Sequence, residues 1–152
     1  MKLNVKDIKK LREETGAGVM EVKQVLEDAK GSYEKAHKEL MKKVAKKAAK
    51  KSDRTANDGL VYSYIHNGGK IGSLILMGCE TDFVAMTDDF KKLCHDVSMQ
   101  ICTEDYKDIK DILKAEFIKD PGKKISDIID ETIAKVGEKI ELKKFVKFDI
   151  NE

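Results

Sequence analysis

The sequence has few of the residues that build disulfide frameworks, metal sites or thiol active sites. Its 152 residues include only three cysteines, an odd number without a Cys-X-X-Cys spacing: Cys79, Cys94 and Cys102. The three histidines fall in different parts of the chain, namely His37, His66 and His95. This pattern argues against a disulfide framework and a zinc site. Cys94 and His95 are adjacent, but neighbours on a helix point about 100° apart and do not form a nucleophile and base pair. We therefore predict that the cysteines pack as small apolar residues.

Long apolar runs and phosphate-binding loops are also absent from the sequence. No apolar stretch approaches the roughly 20 residues that span a membrane, and the first residues do not resemble a signal peptide. We predict a soluble, cytoplasmic protein without a membrane partner. Gly16-Ala17-Gly18 lacks the preceding strand and the following Lys-Ser/Thr of a phosphate-binding loop. The acidic pair Asp88-Asp89 suits the positive end of a helix dipole. An enzyme is thus the weakest interpretation, and we predict no catalytic residue, no cofactor and no metal.

Charged residues are abundant but nearly cancel, because 30 basic residues face 28 acidic ones and give a net charge of +2. Residues 1–51 carry 15 basic and 8 acidic side chains, whereas residues 52–152 carry 15 and 20. Six lysines lie between Lys42 and Lys51, on one face of a predicted helix. Such a stripe can bind RNA phosphates without sequence preference, so an RNA-binding module is one alternative function. No aromatic residues interleave with the lysines to stack bases, and we therefore favour a solvated helix and no specific nucleic-acid partner.

Residues 1–41 are predicted to form three short helices. Asn4 can cap the first helix, Gly16 interrupts the chain after it, and Ser32 can cap the third. Each helix has a narrow apolar stripe that can face the other two. We predict a three-helix domain over residues 1–41, followed by a lysine-rich helical linker over residues 42–55. A ubiquitin-type adaptor function that depends on this bundle alone would leave residues 42–152 without a role.

The rest of the chain begins with a predicted hairpin. Two strand patterns over residues 60–66 and 70–79 flank the turn Asn67-Gly68-Gly69 and should pair in antiparallel fashion. A helix follows, with apolar residues at helical spacing that can cover one face of the hairpin. These residues are Phe90, Leu93, Cys94, Val97 and Ile101.

Two more helices and a strand complete the predicted fold. One helix covers residues 105–118 and is closed by Pro121-Gly122, and another covers residues 126–136 and stops at Gly137. Residues 140–150 form a closing strand, in which Lys143-Lys144 marks a bulge or an edge. The fold class is α+β, with an N-terminal three-helix bundle, a helical linker, and a small antiparallel three-stranded sheet packed with helices.

The connection between the second strand and the next helix contains apolar residues. Phe83, Val84 and Met86 lie between the strand that ends at Cys79 and a helix that Thr87 can cap. A connection this short either packs its aromatic residue inward or offers it to a partner. Phenylalanine is more often buried than exposed, so the residue pattern by itself leaves both interpretations open.

Two motifs resemble those of a known family. The run Thr81-Asp82-Phe83-Val84-Ala85, between a strand and a helix, is similar to the signature of elongation factor Ts, the guanine-nucleotide exchange factor for elongation factor Tu. The run Leu11-Arg12-Glu13-Glu14-Thr15-Gly16-Ala17-Gly18-Val19-Met20 resembles the family's first motif, and a Lys/Ala-rich linker follows at the usual distance. The resemblance implies an N-terminal domain of the ubiquitin-associated type over residues 1–41 and a core domain over residues 56–152.

The resemblance also implies a function and a site. Members of the family promote GDP release from elongation factor Tu during translation elongation. By resemblance, Asp82 and Phe83 enter the nucleotide-binding domain of the partner, where Phe83 parts helices and disturbs the magnesium site. Thr81 and Val84 belong to the same signature. A second contact with that domain is implied for three residues of the first motif, namely Arg12, Val19 and Met20. Position 19 is commonly methionine in the family, so Val19 is a departure from the pattern.

Some parts of longer family members have no counterpart in this sequence. Those members carry a second core subdomain, a coiled-coil arm and a C-terminal helical module, and only residues 103–116 are available here to replace the first two. We therefore predict a single, shortened copy of the core. A sheet of three strands has exposed edges and too little helix to cover both faces. A homodimer, in which a second copy covers the open face, is the predicted solution, with the helices over residues 105–118 and 126–136 as rival covers.

Overall fold

The computed structural model describes residues 2–152, and its first three helices form a bundle. They are α1 (Val5–Thr15), α2 (Val19–Asp28) and α3 (Tyr33–Lys50). The Asn4 side chain accepts a hydrogen bond from the Lys6 N–H and caps α1, as predicted. The apolar stripes of the three helices meet in one small core, which consists of Ile8, Leu11, Ala17, Val22, Val25, Leu26, Ala36 and Leu40.

The third helix continues through the lysine-rich stretch without a break. Its first half belongs to the bundle, and its second half packs against a helix near the other end of the chain, α7 (Ile125–Val136). Ala48 is buried in the larger core that α7 helps to form. The lysine-rich stretch is therefore helical up to Lys50, while the division of the chain at residues 41 and 55 stays a prediction.

Three antiparallel strands form the main sheet, in the order β1–β2–β5. They are β1 (Asp58–Ile65), β2 (Ile71–Cys79) and β5 (Glu141–Asp149). The turn between β1 and β2 contains two glycines at positive φ, as a tight hairpin requires. Leu76 and Met77 pair with Lys144 and Leu142, so Lys143 is an extra residue in β5. The sequence left a bulge or an edge open at Lys143-Lys144, and both are observed, because β5 is bulged here and is also an edge strand of the sheet.

One face of the sheet is covered by α5 (Asp88–Ile101). The Thr87 hydroxyl accepts a hydrogen bond from the Phe90 N–H at 3.2 Å and caps this helix, as predicted. The predicted apolar stripe of α5 is buried in full. Beside α5 lies α7, which ends at Gly137 in a left-handed conformation, again as predicted. No helix within residues 2–152 is both long and apolar enough to cross a membrane.

The predicted helix over residues 105–118 is wrong at both ends. A shorter helix, α6 (Ile109–Lys114), is followed by two short strands, β3 (Glu116–Phe117) and β4 (Asp120–Lys124). The side chain of Gln100 donates to the Glu116 carbonyl at 3.0 Å and accepts from the Ile118 N–H at 2.9 Å. The buried side-chain amide of Gln100 thus forms hydrogen bonds with the backbone of Glu116 and Ile118. In a helix, these backbone groups would form hydrogen bonds with other backbone groups of the same helix. Pro121-Gly122, the predicted end of the helix, lies instead within β4.

The second face of the main sheet is open within this chain. Ser73, Ile75 and Met77 of β2 point into the core, while Leu74 between them is exposed. Residues that pair across antiparallel strands point to the same side of a sheet, and the neighbours of Leu74 on this side are also exposed. The exposed apolar residues of this open sheet face are Val61, Ile65, Leu74, Val146 and Phe148.

Candidate functional site

A single helical turn, α4 (Asp82–Ala85), projects from the end of β2. The Thr81 hydroxyl caps it by accepting a hydrogen bond from the Val84 N–H at 3.3 Å. Val84 and Ala85 are buried in the core, and successive helical residues point about 100° apart, so the first two residues of the turn face outward. Phe83 is 79% exposed, and Asp82 is exposed beside it. Of the two interpretations that the residue pattern left open, the outward one is observed.

This exposed turn, which we call the tip, is tied to the segment after α7 by several hydrogen bonds. The Thr81 N–H and hydroxyl donate to the two carboxylate oxygens of Glu138, at 3.0 and 2.8 Å. In the opposite direction, the Lys139 N–H donates to Glu80 at 2.7 Å, and the Arg54 guanidinium lies 3.4 Å from the same oxygen. The hydrogen bond from Lys139, assisted by Arg54, lowers the pKa of Glu80. The Glu80 carboxylate is therefore ionised at neutral pH.

The thiols near the tip do not suit nucleophilic chemistry. Cys79 and Cys94 are buried. Burial raises the pKa of Cys79, and the negative charge of Glu138 raises it further. Burial also raises the pKa of Cys94, to about 12. A thiol with a raised pKa stays protonated at neutral pH and is a poor nucleophile, which agrees with the predicted packing role.

The second predicted contact lies on the N-terminal bundle. Arg12 is on α1, and its side chain is exposed. Met20, in the first turn of α2, is strongly exposed, and Val19 next to it is partly so. We call these three residues the N-terminal patch. Of the seven residues in the two predicted contacts, six are accessible to a partner and Val84 alone is buried. Val84 therefore attaches the tip to the core and does not itself contact a partner.

The N-terminal patch and the tip are both connected to α7. The turn between α1 and α2 lies against the middle of this helix, because a methyl group at Gly16 would come within 2.8 Å of the Glu131 carbonyl oxygen. Lys123 reinforces this junction by donating to the Glu14 carbonyl at 3.2 Å and pairing with the Glu131 carboxylate at 2.6 Å. The tip is held by Glu138, seven residues later, which corresponds to roughly 10 Å along the chain.

The lysine stripe of α3 is partly neutralised by neighbouring carboxylates. Lys42 lies 3.0 Å from Glu39, and Lys47 lies 2.6 Å from Glu21. Both pairs are at the surface, where such contacts are weak. RNA binding by this stripe stays an alternative hypothesis, and the lack of a specific nucleic-acid partner stays a prediction.

A groove of about 770 Å³ lies between α3, α6, α7 and β5. Its walls are mainly aliphatic, and Asp130 of α7 lines it. Burial raises the pKa of Asp130 to about 7, with further contributions from the charges of Asp127 and Glu131. An acid in such surroundings destabilises the fold when it ionises.

Sequence reasoning missed the supports of the tip. Glu138 is 57 residues away from Thr81, and nothing in its neighbourhood marks it as part of the site. The adjacent Gly137, which ends α7, indicates only that the chain turns at this point and does not single out Glu138.

Comparison with known proteins gives a consistent result. A sequence model of the family described as Elongation factor TS matches residues 80–152. The elongation factor Ts of Moorella thermoacetica is 38% identical over 191 aligned positions, which cover 96% of this chain and 94% of that protein. The elongation factor Ts of Petrotoga mobilis is 39% identical over 197 positions, with full coverage of both chains.

The second comparison also shows a difference in length. Its 197 aligned positions include all 152 residues of this chain, so 45 positions are opposite gaps in it. Both chains are covered from end to end, and these gaps are therefore internal. The expectation of a single, shortened core stays a prediction.

Proposed function

This chain belongs to the elongation factor Ts family, and from that premise we propose that it is a guanine-nucleotide exchange factor for elongation factor Tu in translation elongation, acting in the cytoplasm. The observation that carries the proposal is the phenylalanine held outward on a short, anchored turn. Such a residue offers apolar area to a partner without having to leave the core first.

Exchange requires differential binding and no bond chemistry in the factor. A protein that binds the nucleotide-free partner more tightly than the nucleotide-bound partner weakens the nucleotide by the same factor. A weakening of about 10³ requires roughly 4 kcal/mol of differential binding. Full burial of one phenylalanine supplies about 1.5 to 3 kcal/mol. Phe83 can therefore provide much of this free energy, and the rest must come from other contacts.

In the proposed mechanism, Phe83 inserts into the nucleotide-binding domain of elongation factor Tu, parts its helices and disturbs the magnesium site. Asp82 makes the polar contact beside it, while Thr81 and Val84 keep the turn in place. The N-terminal patch, Arg12, Val19 and Met20, binds the same domain of the partner. Its exposure, and its connection through α7 to the tip, support the idea that one partner contacts both.

We propose the following division of the chain: a ubiquitin-associated-like domain over residues 1–41, a helical linker over residues 42–55, and a single shortened core over residues 56–152. The separate small core of the bundle supports the first boundary. The position of Ala48 in the larger core means that the linker also serves as part of the core's cover.

We also propose that the protein is a homodimer in which two open sheet faces pack together. The five exposed apolar residues of this face form a contiguous set on three neighbouring strands. Contiguous exposed apolar surface of this kind is uncommon on monomeric proteins. A two-fold axis would let each copy cover the other with the same residues.

The release of fluorescent GDP from elongation factor Tu, with and without this protein, tests the proposed function. We expect substoichiometric amounts of the protein to accelerate release in the presence of excess unlabelled GDP. The same measurement with heat-denatured protein is the control. If the folded protein gives no acceleration, the proposed function is refuted.

A further inference from the structure

We propose that Glu138 is a positioning residue for nucleotide exchange, which orients the tip through its two hydrogen bonds to Thr81. This inference rests on the proposed function, since it concerns the same site. Together with the reciprocal bond from Lys139 to Glu80, these contacts form what we call the tip clamp, composed of Glu80, Thr81, Glu138 and Lys139.

The first step concerns the Thr81 hydroxyl, which takes part in two hydrogen bonds in different roles. It donates to Glu138 at 2.8 Å and accepts from the Val84 N–H at 3.3 Å. A hydroxyl has one proton and two lone pairs, so the carboxylate that receives the proton also fixes the direction of the lone pairs. Glu138 therefore sets the geometry of the cap from which the turn with Phe83 begins.

The second step concerns the weakness of the turn itself. A helix of four residues has almost no intrinsic stability in water, and α4 closes with only a few long backbone bonds, such as Ala85 N–H to the Thr81 carbonyl at 3.3 Å. Its orientation must come from anchors outside it. The side chains of Val84 and Ala85, both buried in the core, form one anchor, and the carboxylate of Glu138, bound to both donors of Thr81, is the other.

The third step concerns how Glu138 is held. Gly137 adopts φ 76° and ends α7, so the chain turns and presents Glu138 and Lys139 to the end of β2. The Lys139 ammonium is fixed on the opposite side by the carbonyls of Ser52 and Arg54, at 2.7 and 3.0 Å. Because the middle of α7 also touches the turn that joins Arg12 on α1 to Val19 and Met20 on α2, the tip clamp sets the position of Phe83 relative to the N-terminal patch.

The test combines Glu138→Ala with Phe83→Ala in a double-mutant cycle. If Glu138 acts through the tip, Glu138→Ala should reduce the maximal rate of GDP release by about 5- to 20-fold, as expected for two charge-assisted hydrogen bonds. In the Phe83→Ala background the same change should cost less than about 2-fold. Glu138→Gln, which keeps one acceptor oxygen, should restore part of the rate. Glu116→Ala removes an exposed carboxylate elsewhere and should leave the rate unchanged.

A purely structural role for Glu138 predicts a different result. The proposal would be overturned if Glu138→Ala lowered the rate of GDP release by the same factor in both backgrounds, or left the rate unchanged. It would also be overturned if the losses in rate among the variants followed their losses in melting temperature. If the parent protein fails to accelerate GDP release, the proposed function is wrong, and hydrogen exchange decides the clamp separately. In that case Glu138→Ala should speed exchange of the Val84 amide at least 5-fold, and unchanged exchange would refute the clamp.

Discussion

Phe83→Ala should separate the stability of this protein from its activity. A buried phenylalanine replaced by alanine costs about 3 to 5 kcal/mol of folding free energy. Phe83 is 79% exposed, so only about a fifth of that cost applies, and we expect a loss below about 1 kcal/mol. For a chain of this size, such a loss lowers the melting temperature by no more than roughly 4 °C.

The effect of the same change on exchange should be much larger. If Phe83 is buried in the complex, its removal costs about 1.5 to 3 kcal/mol of differential binding. This corresponds to a decrease of roughly 10- to 150-fold in the acceleration of GDP release. The decrease should remain at saturating protein, because the missing contact acts on the nucleotide-free state more than on the first encounter.

Two matched variants complete the experiment. Ile118→Ala removes an apolar side chain that is 55% exposed and belongs to neither the tip, the N-terminal patch nor the open sheet face, and it should leave GDP release unchanged. Phe90→Ala removes a fully buried phenylalanine and should lower the melting temperature strongly. The reasoning is refuted if Phe83→Ala exchanges nucleotide as well as the parent, or if it melts as early as Phe90→Ala.

Three further predictions concern the domains, the assembly and the groove. A fragment of residues 42–152 should unfold cooperatively but bind elongation factor Tu weakly. A shorter fragment of residues 52–152 should melt at a lower temperature, because it lacks Ala48. If the 42–152 fragment is unfolded, the boundary at residue 41 is wrong. Light scattering of the parent protein should give twice the chain mass of 17.1 kDa. Phe148→Glu should give single chains, whereas Met20→Glu, a control on another surface, should remain dimeric. A parent mass of 17.1 kDa would exclude the dimer. Burial raises the pKa of Asp130 from 3.8 to about 7, so the stability it contributes in its protonated form is lost as the pH rises between these values. At pH 8, Asp130→Asn should therefore raise the free energy of unfolding by roughly 1 to 2 kcal/mol after allowance for solvent screening. Urea unfolding measures this change. This gain should shrink toward pH 4, and a gain that does not depend on pH would contradict the assignment.

Local sequence determined most of the secondary structure. Capping by Thr87 and the end of α7 at Gly137 were predictable, because each depends on residues within a few positions along the chain. The α+β class followed from the same local patterns. The family and the place of its signature motif were recognisable for a similar reason, since a short run of residues between a strand and a helix is visible without coordinates.

Tertiary structure decided the features that depend on distant residues. Residues 115–124 form a hairpin because the side chain of Gln100 pairs their backbone groups, and the apolar spacing of this segment fits a helix equally well. Phe83 faces outward because its neighbour Val84 is buried by helices and strands from elsewhere in the chain. Glu138 reaches Thr81 across 57 residues. In each case the deciding contact joins residues that only folding brings together, so no local pattern could have revealed it.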